Sequence, residues 1–178
     1  MTVYGMPLFL EDISGSLEGS DFVDIHGRMK LTLRCTLRDR SRAVYMVQND
    51  QSHSRSPSAV LDFTPPGGLG SIIVGNARPM PMDQYLCKVS RFGSSKHRRF
   101  TASDGHTYTW AHRGKPDFEW TCSNDQDFLV AHYDLKTPGE NYINSSGCTL
   151  TVDEAYLHLV DELLASLVIM RHIHERNL

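Results

Sequence analysis

Between Lys30 and Arg38 (KLTLRCTLR), Leu31, Leu33, Cys35 and Leu37 alternate with Lys30, Thr32, Arg34, Thr36 and Arg38. A period of two predicts a strand with one face in the core and one in water. Asp39-Arg40-Ser41 supplies a turn, and Ala43–Gln48 (AVYMVQ) returns as the partner. The same reading places short strands at Ala59–Phe63, Ser71–Gly75, Tyr85–Val89, His97–Thr101 and His106–Trp110. Others follow at Phe118–Cys122, Phe128–Tyr133 and Cys148–Leu150. Asp104-Gly105 between two β-rich runs favours a tight type I′ hairpin turn, since both residues tolerate positive φ. The polar run Asn49–Ser58, Pro65-Pro66-Gly67-Gly68, Met80–Asp83 and Lys136–Gly147 read as turns or loops.

Near the C-terminus the period changes. Thr151-x-x-Glu154 has the form of a capping box. Asp153 and Glu154 suit the positive end of a helix, and Arg171, His172, His174 and Arg176 suit the negative end. The expected helix runs from about Val152 to Glu175, roughly 35 Å at 1.5 Å per residue. Its middle (Leu163, Leu164, Ala165, Leu167, Val168, Ile169, Met170) is apolar in nearly every direction, so it is expected to be buried on all sides. A buried helix after an all-β chain needs a container. Either two sheets sandwich it or one sheet curls around it. The expected fold is mainly β, with about ten to twelve short antiparallel strands. They form a closed or nearly closed barrel around the long buried C-terminal helix at about 152–175.

Composition changes little in this picture. The 178 residues are one domain's worth, and residues 1–178 are read as a single domain. An apolar fraction of 40% with 22% charge excludes a disordered chain. A net charge of -3 disfavours a nucleic-acid coat protein. No basic start precedes the first apolar run, and the most apolar window, Leu163–Met170, is far short of the ~20 residues a membrane helix needs. The expectation is a cytoplasmic protein, at most peripheral at a membrane. Cys35, Cys87, Cys122 and Cys148 lack metal-ligand spacing and are read as buried reduced thiols.

The second half resembles a fungal family of uncharacterised domain proteins from mushroom-forming basidiomycetes. The resemblance is carried by RRFTASDGHTYTW (Arg98–Trp110), with its Asp-Gly-x-x-Tyr-x-Trp core. Phe118-x-Trp120, LVAHY (Leu129–Tyr133) and DELLASLVIM (Asp161–Met170) complete it. It extends back to KLTLRCTLRDRSRAVYMV, about 150 residues in all. That family in turn is similar to tubby C-terminal and LURP-one-related proteins. The resemblance implies a β-barrel of about twelve strands around a central C-terminal helix. A full tubby phosphoinositide-site pattern is missing. Lys96, Arg98 and Arg99 form only an analogous basic cluster.

The chemistry-bearing candidates are few. Lys88, Arg91, Lys96, Arg98 and Arg99 lie in one stretch with no acid, and are the candidate ligand-binding residues for an anion. Arg34, Arg38, Arg40 and Arg42 form a second cluster, more simply read as a solvated hairpin. His172 and His174, two apart on a helix, point in different directions and cannot share an ion. His106, His112 and His132 lie on separate strands, and nothing in their spacing demands a metal. There is no nucleophile elbow. Asp161 is read as a helix-to-strand hydrogen-bond anchor, and the adjacent Glu162 splays away from it. Gly67-Gly68-x-Gly70 precedes a strand, so it is not a phosphate cradle of the usual kind. Tyr108, Trp110 and Trp120 are read as core rather than a sugar platform. The expected function is a non-enzymatic binding module, without cofactor or metal, for an anionic phospholipid headgroup or other anion at the basic loop. The alternatives are a protein-interaction scaffold acting through loops such as Asn49–Ser58, and an enzyme with a His/acid site at the barrel mouth.

Overall fold

In the computed structural model, which describes residues 5–64, 68–135 and 139–178, thirteen strands make one antiparallel sheet. They are β1 (Leu8–Asp12), β2 (Gly19–Asp24), β3 (Lys30–Arg38), β4 (Ala43–Asn49), β5 (Ala59–Phe63), β6 (Ser71–Val74) and β7 (Met80–Pro81). A single-turn helix, α1 (Met82–Tyr85), intervenes. Then come β8 (Cys87–Lys88), β9 (His97–Thr101), β10 (Thr107–Lys115), β11 (Phe118–Asn124), β12 (Leu129–Asp134) and β13 (Cys148–Val152). A 3₁₀ segment, Glu154–Leu159, leads into α2 (Val160–Arg176).

The sheet order is β7-β6-β5-β4-β3-β2-β1-β13-β12-β11-β10-β9-β8. Strands consecutive in sequence are therefore neighbours throughout, except β7 and β8, which stand at the two ends, and β1 pairs with β13 in the middle, Leu8 opposite Val152. Among the described residues, no hydrogen bonds join the end strands β7 and β8. The sheet is thus not closed by hydrogen bonds, where a closed or nearly closed barrel was expected. The two ends are joined covalently by α1 and Leu86.

Inside the curl lies α2. Its residues Val160, Glu162 to Met170, and Ile173 are buried. Both halves of the sheet touch it. Asp161 Oδ1 accepts from Asn49 Nδ2 of β4 at 2.8 Å, and Trp110 Nε1 of β10 donates to Ser166 Oγ at 2.9 Å. Arg171 donates to Gly15 O at 2.8 Å, pairs with Asp12 of β1 at 3.6 Å and lies over the Tyr133 ring of β12. Alternation on the strands supplies the rest of the core: Leu8 and Leu10, Leu31 and Leu33, Tyr108 and Trp110, and Leu150 and Val152 all face inward. Trp110 and Trp120 are core residues, as expected.

Several local expectations need correction. The helix begins at Val160 rather than near Val152. Thr151 belongs to β13, and the capping oxygen is that of Asp153, which accepts from Ala155 N at 3.0 Å. Two extended residues are needed there because β13 must finish its ladder with β1. The 103–105 loop is not type I′. Only Gly105 takes positive φ (82°), and Gly105 N bonds Ala102 O while Ala102 N bonds His106 O. That is a three-residue loop, a turn followed by a left-handed glycine. Of the expected strand Tyr85–Val89 only Cys87 and Lys88 are strand, Tyr85 ending α1, and Met80–Asp83 is β7 running into α1 rather than a loop. β1 and β2 had no counterpart in the reading of the sequence. Cys122 and Cys148 are buried, but Cys87 is exposed and Cys35 only partly covered. Pro65, Pro66 and Gly67 of the proposed stop, and residues 136–138 of the proposed loop, lie outside the described residues.

Candidate functional site

The site grows out of the unclosed seam. β7 pairs only with Ser71 and Ile72 of β6, and β8 only with Arg98 and Arg99 of β9. Neither short strand reaches Val74 or Thr101. Beyond them a cleft of about 400 Å³ opens between β6 and β9, a volume in the range of small-molecule sites.

One end of the cleft is held by α1. Met82 and Leu86 are fully buried, and Tyr85 nearly so. The Tyr85 hydroxyl donates to Glu162 Oε1 at 2.6 Å, and Ser103 N donates to Glu162 Oε2 at 2.9 Å. Burial, then the adjacent Glu162 carboxylate, hold Tyr85 far above the usual phenol range, so it stays a donor. Glu162, only 4% exposed, therefore ties α2 to both sides of the seam. Ile72, Val74, Phe100 and Ala102 make the walls apolar, and exposed Arg78 and Arg99 stand at the rim. Among the described residues, neither rim arginine has an ion-pair partner. In contrast, Arg34 pairs with Asp21, Arg38 with Glu18, and Arg42 with Asp62 at 3.7 Å. Apolar walls beneath two free guanidiniums suit a ligand with a hydrophobic body and an anionic end.

The five cations singled out in the sequence do not form one patch. Lys88 and Arg91 are exposed, on β8 and on the loop after it. Lys96 is partly buried and its charge acts on His174, at the far end of α2. Arg98 is only 4% exposed and points into the protein. Its Nε donates to Ser95 O at 2.8 Å and its Nη1 to Leu86 O at 3.1 Å. It clamps the α1–β8 corner and does not line the cleft. Arg99, the next residue on an alternating strand, faces the other way and alone of the five lines the cleft. Arg78 and Glu162 were missed. Nothing near Arg78 in the sequence marks it, whereas Glu162 could have been found as a lone acid on an all-apolar helix.

The histidines also separate. His106 is exposed in the hairpin, and His132 stacks on Phe118 at 4.1 Å, so the two do not converge with His112. His172 stacks on Phe63 at 4.1 Å while His174 packs on His112 at 4.4 Å, so the pair does point apart. No histidine lines the seam cleft.

The molecule is thus a mainly β protein, one antiparallel sheet curled about a C-terminal helix, with an apolar cleft where the sheet fails to close. Over residues 30–176 the chain matches the family of unknown function DUF6593, and it belongs to that family. No curated protein and no solved structure matches it. No helix of the described residues is long and apolar enough to cross a membrane.

Proposed function

We propose that this protein is a binding module for an anionic phospholipid, with apolar chain in the seam cleft and the head group at Arg78 and Arg99. The observation that carries the reading is an apolar cleft rimmed by two arginines that have no acid partner among the described residues. The resemblance to fungal tubby-like domains supports it, since a sheet curled around a C-terminal helix is the architecture that resemblance implies. Lys88 on β8 and Arg91 on the loop after it are exposed and would add long-range attraction to an anionic surface, each worth about 1 kcal/mol near such a membrane.

The test is co-sedimentation with phosphatidylcholine vesicles with and without phosphoinositide, at low and physiological salt. Binding should require the anionic lipid, weaken with salt and vanish in Arg78→Glu/Arg99→Glu. Binding that is unchanged in that double variant overturns the assignment of the cleft. A second reading, a protein partner, is favoured by the uncovered edges of β6 and β9, which leave room for an extended peptide. Absence of vesicle binding by the intact protein would turn the choice to that reading.

A further inference from the structure

At the other end of α2, about 18 Å from Glu162 along the helix, three potential ligands come together. We propose that His112, Glu119 and His174 form a binding site for a divalent transition-metal ion of the zinc type. They come from β10, β11 and α2, and one ligating atom from each lies within 4.8 Å of the other two. His112 Nε2 and Glu119 Oε1 are already 2.7 Å apart. Ligands of a single zinc at about 2.0–2.1 Å stand roughly 3.3 Å from one another. The longest edge therefore has to shrink by about 1.5 Å at most, within the reach of small side-chain rotations.

The backbone builds this meeting. Trp120 is opposite His112 in the β10–β11 ladder, so in an unbroken strand Glu119 would face the other side. The register shifts between His112 and Lys115, and Arg113 adopts a φ of 50°. The extra residue of this bulge is on β10, and it breaks the regular alternation where the imidazole and the carboxylate meet. The rings are held firmly: His112 packs on Trp120 at 4.7 Å, and His174 meets Trp120 edge-on at 6.0 Å. Arg113 Nε donates to Glu119 Oε2 at 3.1 Å, leaving Oε1 for the ion and orienting the group from outside.

An ordinary ion pair accounts for His112 and Glu119 but not for His174. Its Nδ1 is buried and has no hydrogen-bond partner. An orphaned imidazole nitrogen beside an imidazole–carboxylate pair is what a metal site presents when its ion is absent. Lys96 and Arg113 bring positive charge nearby. They disfavour ions held by charge alone, such as calcium or magnesium, and leave the advantage to ions bound through ring nitrogen. Three protein ligands leave a coordination position for water or a small ligand.

The experiment uses the full chain with Cys35→Ser and Cys87→Ser, so that the accessible thiols do not compete. After chelator treatment it is titrated with zinc alone in a calorimeter. One ion per chain is expected. His174→Gln, His112→Gln and Glu119→Gln should each weaken binding by more than about 100-fold, and Arg113→Ala by about tenfold. Zinc should raise the melting temperature of the parent but not of His174→Gln. This second readout shows that the variants are folded before metal is added. Cobalt in place of zinc should give visible bands without thiolate charge transfer. No bound ion, one-to-one binding that survives His174→Gln, or a thiolate band would each overturn the assignment.

Discussion

Arg98 and Arg99 share a side chain and adjoin in sequence, yet one holds the fold and the other faces a cleft. The difference is the pleat of β9, which sends Phe100 and Arg98 inward and Arg99 outward. Removing each should separate the roles. Arg98→Ala leaves the Leu86 and Ser95 carbonyls without their donor and is expected to cost about 2 kcal/mol in urea denaturation. Arg99→Ala should stay within about 0.5 kcal/mol of the parent, and its defect should appear in vesicle binding. Equal stability losses would remove the distinction. The alternation was legible in the sequence, because Phe100 marks the buried face. What hid the clamp was charge: five cations in one stretch without an acid read as a surface. The carbonyl after α1 and one from the loop before β9 give this buried guanidinium its partners.

At the scale of elements, the strongest periodicities were the most legible. β3, β5 and β9 have the bounds their alternation implies, and the apolar middle of α2 identified a helix buried on every side. The less legible elements are those whose conformation depends on distant partners. Thr151 has the chemistry of a cap, but pairing with Phe9 of β1 keeps it extended. α1 has four residues and no periodicity to read. It forms because Met82, Tyr85 and Leu86 find the core, and Glu162 takes the Tyr85 hydroxyl. The central helix gives a direct prediction. Leu167 is 1% exposed, and Leu167→Asp would put an unpaired charge among apolar side chains. Circular dichroism should show an unfolded chain at room temperature. A soluble variant with the parent's melting temperature would refute the enclosed helix.

For the whole molecule, charge sets the response to acid. Burial alone would raise the carboxyls of Asp21, Asp24 and Asp104, but their partners prevail and hold all three below the usual range. Asp24 is the clearest. It accepts from Arg28 Nε at 2.7 Å and from the backbone N–H groups of Phe9, His26 and Arg28. A carboxyl whose folded value is depressed stabilises fully above its unfolded value, about 3.9. That contribution is lost as the pH falls through the folded value. Asp161 has the opposite sign: burial raises it, beyond the help of its hydrogen-bond donors, so its contribution weakens as the pH rises past the unfolded value. The net expectation is a loss of stability below about pH 4. Asp24→Asn should be less stable than the parent at pH 7, by about 2–3 kcal/mol, and show a shallower fall in acid. A variant as stable as the parent at neutral pH would show that the Asp24 hub contributes little. The sheet around a helix was legible from strand count and helix polarity. The seam was not, because closure depends on where the last two strands stop, and β7 and β8 have only two residues each.

The pairing of β1 with β13 has a consequence for how the protein is made. Synthesis is vectorial, so β1 and the strands up to β7 leave the ribosome while β13 and α2 are still untranslated. Until then one edge of β1 has no neighbour, and the inner face of the half-built sheet has nothing to cover it. Long-range pairing of this kind closes slowly, and bare strand edges invite the wrong neighbour in the meantime. The nascent chain is therefore a natural client for holding chaperones. The decisive folding event waits until α2 has followed β13 out of the ribosome and can fill the space kept for it.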